Sequence, residues 1–229
     1  MGRVSQAQAA ENRERIVATA ARLFREHGIA GVSVADVTAE AGLTHGGFYK
    51  HFASKDALVA EAVARAFADQ AATLRPPATV LPADALAPAT VLPADALPPA
   101  EAHPSADALP PGGADQKPGS GDATVSDRRR AMIDAYLSPA HRDDPGSGCP
   151  SAGFGGDVAR STGGDATRSA YAAGVEGFAR FLGDGPEPDL AALSTMVGAL
   201  ILSRATAGTD LSDRILTAVH ESLTTPPEP

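Results

Sequence analysis

The chain has 229 residues, of which 43 % are hydrophobic and only 4 % aromatic, with no Trp and a formal net charge of −9. An alanine-rich, aromatic-poor chain buries its surface by close helix packing, so an all-α fold is expected. No apolar run approaches the ~20 residues of a membrane span. The opening MGRVSQAQAAENRER has no apolar export core, and the single cysteine, Cys149, excludes an intrachain disulfide and suits a reducing compartment. A cytoplasmic protein without metal or cofactor is expected.

The acidity is unevenly spread. Residues 1–75 carry nine Lys/Arg against eight Asp/Glu, residues 76–124 one against six, and residues 125–229 nine against fourteen. A net acidic chain therefore still permits a phosphate-facing N-terminal surface, because the local face decides such contacts.

In chain order, Ile16, Val17, Ala20, Leu23 and Phe24 form one stripe at helical period, which predicts an amphipathic helix over 9–27. Gly28 follows as its C-cap. Ser33 caps a short helix, VADVTAEA, with Val34 and Val37 inward and Asp36 near its positive end. Gly42 turns the chain, and Thr44 caps a third segment over about 45–51. Ser54 opens a fourth helix with Leu58, Ala62, Val63, Ala66 and Phe67 as its apolar face.

The pattern then breaks. ATVLPADALAP at 78–88 recurs as ATVLPADALPP at 89–99, and more than half of the chain's 19 prolines lie within 76–124. Proline at that density blocks helix and sheet hydrogen bonding, so this stretch reads as an expanded linker. Beyond it, Met132, Ile133, Tyr136 and Leu137 predict a short helix closed by Pro139. A glycine- and proline-rich loop, HRDDPGSGCPSAGFGG, follows. Further helices are expected over 166–182, 189–206 and 210–223, the last capped by Asp210 or Ser212. The 189–206 segment is apolar on more than one side, as a helix covered by a second subunit would be. The Arg128–Arg130 triplet reads as a solvated face.

Two short helices joined by a glycine turn and packed on a longer one make a helix-turn-helix unit, whose second helix can enter the major groove of DNA. That helix reads THGGFYKHFASK. Gly46 and Gly47 cost helix stability, about 1 kcal/mol each relative to Ala, and in return let backbone approach DNA closely. Tyr49, Lys50, His51 and Lys55 supply donors on one side, while Phe48 and Phe52 turn back as anchors. Most of these donors suit phosphate rather than base edges.

The segment ENRERIVATAARLFREHGIAGVSVADVTAEAGLTHGGFYKHFASKDALVAEAV resembles the TetR/AcrR family of bacterial regulators over about residues 11–67. The resemblance implies an all-helical homodimer. Its helix-turn-helix domain would occupy residues 1–55, with a connecting helix at 54–75 and a helical ligand-binding and dimerisation domain at 125–229. It implies phosphate contacts from Ser33, Thr44, Tyr49, His51 and Lys55, and a groove-facing set of His45, Gly46, Gly47 and Lys50. The expected partners are a palindromic double-stranded DNA operator, a small-molecule effector, and a second copy held through 189–206 and 210–223. No membrane partner is expected.

Met132, Tyr136, Cys149, Phe154, Tyr171, Phe178 and Met196 are candidate effector-pocket residues, since such pockets are apolar with few polar groups; the alternative for each is ordinary core. Cys149, with Pro150 after it and His141 and Arg142 before it, is either an electrophile or redox sensor or a packing residue. An enzyme using Cys149 as nucleophile and His141 as base lacks a third member and an oxyanion arrangement. A dimeric DNA-binding protein with no ligand is the other alternative.

Overall fold

In a computed structural model, residues 6–74, 125–160, 164–183, 185 and 187–225 are described. The tandem repeat and its linker reading lie outside them. Helix α1 (Gln6–His27) starts a little before the expected residue 9 and buries Ile16, Val17, Ala20, Ala21 and Phe24, the stripe read from the sequence. It stops at Gly28, whose φ of 76° is the left-handed conformation that glycine adopts without penalty. Helix α2 (Val34–Glu40) begins with a capping box: Asp36 N–H donates to Ser33 Oγ and Ser33 N–H to the Asp36 carboxylate. These bonds satisfy two otherwise orphaned donors; the Ser33 hydroxyl, and after it the Ser33 N–H, donate to the Asp36 carboxylate and hold it below its ordinary pKa.

Helix α3 is short, His45–Phe48, with 49–51 continuing as a turn where the sequence predicts helix to 51. Helix α4 (Lys55–Leu74) is capped by Ser54, whose Oγ accepts Ala57 N–H at 3.1 Å. Helices α1–α4 share a core around Phe24, Phe48, Phe52, Leu58 and Val63. Full burial of each such large side chain contributes roughly 1.5–3 kcal/mol.

The C-terminal helices depart from expectation in one stretch. Pro139 does not close a helix; after α5 (Val125–Tyr136) it is the first residue of α6 (Pro139–Asp143), with Ser138 accepting His141 N–H. The predicted loop through 156 is also partly helical, since α7 runs from Pro150 to Arg160. Proline suits the first helical turn, where its missing N–H is no loss. The glycines of α7 are explained by packing rather than flexibility. A Cβ at Gly153 would lie 2.9 Å from Arg25 Cγ, and one at Gly155 would lie 2.8 Å from the Tyr171 hydroxyl. The glycines bring α7 close to both neighbours and offset their poor helix propensity.

Helices α8 (Asp165–Leu182), α9 (Leu190–Ala205) and α10 (Asp210–Thr224) follow. Asp189 caps α9 through Ala192 N–H at 2.8 Å. Thr209, not Asp210 or Ser212, occupies the cap position of α10, because Ser212 Oγ instead donates to Ser203 O at 2.8 Å. Arg128 and Arg130 are exposed as expected, but Arg129 is half-buried. Its guanidinium donates to Leu182 O at the end of α8 and Leu223 O near the end of α10, and pairs with Asp189. Helix C-terminal carbonyls attract a cation in this way.

These elements enclose a second core around Ile133, Tyr136, Phe178, Leu193, Met196 and Leu200. Phe154 and Val158 of α7 belong to the first core, and Val175 of α8 borders both. Helix α4 packs most extensively on α8, where the Phe67 ring lies against Gly174 with no room for a Cβ. The described residues thus form one unit, all-helical throughout.

Candidate functional site

The residues around α3 divide cleanly between an inner and an outer side. Phe48 and Phe52 are buried and stack with ring centroids 5.4 Å apart, and the Arg13 guanidinium lies 4.7 Å over the Phe52 ring. They are the anchors that the sequence reading assigned. Thr44, His45, Gly46, Tyr49 and Lys50 are exposed, Tyr49 at 61 %. His45 meets Tyr49 edge-on at 5.6 Å, and Tyr49 meets Phe48 edge-on at 5.2 Å. The outer aromatic edge is therefore braced from below while its hydroxyl stays in solvent.

Thr44 occupies the cap position of α3 without a side-chain capping bond, which leaves its hydroxyl for an external acceptor. A Cβ at Gly46 would meet nothing within 4 Å, and one at Gly47 only Thr44 Oγ1 at 3.5 Å. Neither glycine has a positive φ. Nothing within the fold requires glycine at these two helical positions.

Two members of the predicted set are engaged elsewhere. The Ser33 hydroxyl donates to Asp36 at 2.7 Å. Lys55 Nζ donates to Ile29 O at 2.5 Å and lies 5.7 Å from the Phe24 ring centroid. Each spends at least one hydrogen inside the fold. His51 is half-buried.

Residues 16–62 match the family model described as bacterial regulatory proteins, tetR family. An uncharacterized HTH-type transcriptional regulator, YerO of Bacillus subtilis (strain 168), is 42 % identical over 52 residues, which is 23 % of this chain and 18 % of YerO. The reduced form of E. coli NemR superposes with a TM-score of 0.59 at 18 % identity, over 91 % of this chain and 95 % of that one. A TetR transcriptional regulator from Chloroflexus aurantiacus J-10-FL gives 0.59 at 19 % identity, over 96 % and 95 %. Residues 16–62 are thus similar in sequence to TetR-family regulators. The chain spans under a fifth of the length of YerO; the family match lies within α1–α4, and the two solved structures extend the likeness in fold to the C-terminal helices.

The seven candidate pocket residues do not form one group. Tyr136, Cys149, Phe178 and Met196 lie in the second core with Met132 at its edge, whereas Phe154 and Tyr171 belong to the first. Tyr136 and Phe178 are 5.8 Å apart. Burial, with the Cys149 thiol beside it, pushes the Tyr136 phenol well above its ordinary pKa, so it is a neutral hydroxyl. Yet Tyr136 Oη has no hydrogen bond of acceptable geometry, and neither does the buried Ser151 Oγ two residues beyond Cys149. Tyr171, raised by burial and by Cys149, donates to Ser151 O at 2.8 Å. Buried hydroxyls without partners cost about 1–3 kcal/mol each, and such groups within a largely apolar core are what an effector site requires.

Cys149 and His141 are neighbours but are not arranged as nucleophile and base. His141 Nε2 accepts the backbone N–H of Cys149 at 3.1 Å, and Nδ1 is 2.7 Å from Tyr136 O. A carbonyl can only accept and an amide only donate, so these partners assign a neutral imidazole carrying its proton on Nδ1. Burial likewise lowers its pKa, against the opposing Tyr136 bond. Cys149 itself is 2 % exposed, which fits the packing alternative better than the sensor.

The sequence reading missed Asp157, Arg25 and Arg204. Arg25 Nε donates to Gly146 O at 2.7 Å, and Arg204 ties α9 to His141 O and Arg142 O. The proline after Cys149, opening an eleven-residue run before the next glycine turn, was the available sign of α7.

Proposed function

We propose that this protein is a DNA-binding transcriptional regulator that works as a homodimer and is released from a palindromic operator by a small-molecule effector. The observation that carries this reading is the pair Gly46 and Gly47. They weaken α3 by about 1 kcal/mol each relative to Ala, and no neighbour among the described residues needs the space they leave. Their use therefore lies outside the chain, where a duplex wall can approach the helix backbone. Thr44, His45, Tyr49 and Lys50 stand around them in solvent, with His51, Ser33 and Lys55 on the flanks. Thr44, Tyr49, His51, Ser33 and Lys55 act as phosphate donors; His45, Gly46, Gly47 and Lys50 face the groove.

For the dimer, Ile201 and Leu202 on α9 are 45 % and 56 % exposed, and Leu211 on α10 is also uncovered. Apolar side chains on adjoining helices suit a self-complementary interface with a two-fold axis. The effector reading rests on the orphaned Tyr136 and Ser151 hydroxyls. No helix among the described residues is long and apolar enough to cross a membrane, which agrees with a cytoplasmic place of action.

In vitro selection from a random duplex pool with the full chain tests the reading. It should enrich an inverted repeat with half-sites about one helical turn, or a small multiple, apart. Enrichment of a single unpaired site would count against the dimer, and enrichment of nothing against DNA binding altogether.

A further inference from the structure

The turn between α1 and α2 is held by a bond that no family motif assigns. Ile29 N–H donates to Asp157 Oδ2 of α7 at 2.7 Å, and Ile29 O accepts Lys55 Nζ of α4 at 2.5 Å. The two peptide groups flanking Ile29 are thereby each held by a side chain, from helices far from it in sequence. Gly28, at φ 76°, precedes it, and a Cβ there would come within 3.2 Å of the same Asp157 oxygen. Four residues beyond Ile29 stands Ser33, which caps α2 and so sets where α2 and α3 begin. The other Asp157 oxygen meets Arg160 at 3.2 Å. The turn and α7 together border an open cleft of about 430 Å³, with Ile201 of α9 at its rim.

Helix α7 has two ends with different surroundings. It starts after Cys149, which adjoins the Tyr136 phenol, and carries the buried Ser151, whose hydroxyl is unpartnered. Two turns later it presents Asp157 to the DNA-binding unit. An eleven-residue helix is a rigid rod of about 16 Å, so a tilt at its first turn moves Asp157 relative to Ile29.

We propose that Asp157 is a positioning residue: its carboxylate, by accepting Ile29 N–H, fixes the α1–α2 turn and with it the presentation of α3 to DNA. The proposal rests on the DNA-binding reading above. The bond is charge-assisted, and its geometry tolerates little displacement. Release of Ile29 frees the turn while leaving the core of α1–α4 intact, since Asp157 contributes no apolar surface to it.

The test compares the full-length wild type, Asp157→Ala, Asp157→Asn and Arg160→Ala on a duplex that the wild type selects from a random pool. Alanine is the best helix former, so α7 should persist, as circular dichroism would verify. Asp157→Ala should bind roughly tenfold more weakly, with the salt slope unchanged because Asp157 touches no phosphate. Asparagine keeps an acceptor oxygen and should restore affinity to within about twofold of wild type. Arg160→Ala leaves the Ile29 bond in place and should match wild type.

Hydrogen exchange at the Ile29 amide should accelerate in Asp157→Ala alone. Wild-type affinity in that variant, or a protected Ile29 amide, would overturn the latch while leaving DNA binding standing. A wild type that selects no duplex would instead overturn the reading beneath it.

Discussion

The exposed edge at α3 and the interior around Tyr136 and Ser151 treat polar groups in opposite ways. At α3 the polar side chains of Thr44, His45, Tyr49 and Lys50 are in solvent, where water satisfies them, and the aromatic anchors Phe48 and Phe52 are buried. In the interior the Tyr136 and Ser151 hydroxyls are buried and unpaired. The first region is complete without a partner and can wait for one at no cost. The second carries a standing penalty that a hydrogen-bonding ligand or an ordered water would remove. On the reading proposed above, a surface that meets DNA and a core that meets a small molecule differ in how much of the desolvation is already in place before binding.

The largest expected effect comes from removing what braces the outer edge. Phe48→Ala deletes a fully buried ring and should destabilise the fold by about 3–5 kcal/mol, read from chemical denaturation. A loss under about 1 kcal/mol would mean that the inner side of α3 is not the anchor we describe. A smaller effect of opposite sign is expected at the other region. Tyr136→Phe removes an unpaired buried hydroxyl and should raise stability by about 1 kcal/mol, whereas Tyr49→Phe, at an exposed site, should leave stability unchanged. A destabilised Tyr136→Phe would show that this hydroxyl has a partner and would erase the contrast.

The smallest effect is the pH dependence of His141. Its pKa is lowered in the folded chain, so between that value and the unfolded value of about 6.5 the unfolded chain binds more protons. Stability from this group is therefore full above about pH 6.5 and falls as pH drops through the folded value. Denaturation midpoints of wild type and His141→Asn should converge toward acid pH. Parallel curves would contradict the neutral Nδ1–H assignment.

Legibility followed the same division. The α1 stripe, the Ser33 and Ser54 caps, the Gly28 and Gly42 turns and the Phe48/Phe52 anchors were all readable, because each is set by local chemistry within a few residues. Helix α7 was not. Its glycines at 153, 155 and 156 signal a loop on propensity alone, and only the close approach of Arg25 and Tyr171 explains them. The Arg129 clamp and the Asp157–Ile29 bond join residues 53 to 128 positions apart, and no local pattern specifies such pairs. Among the pocket candidates, apolar type placed residues in the interior, but not which of the two cores each would join.

The most direct test of the central claim is the salt dependence of duplex binding by the full chain, compared between wild type and Lys50→Ala. Lys50 is exposed on the outer side of α3, so the substitution should leave stability within about 0.5 kcal/mol. If α3 meets DNA, log affinity should fall steeply and linearly with log salt, and the variant should bind more weakly with a shallower slope wherever its ammonium neutralises phosphate. Lys50→Ala matching wild type in both affinity and slope would contradict an interface centred on α3.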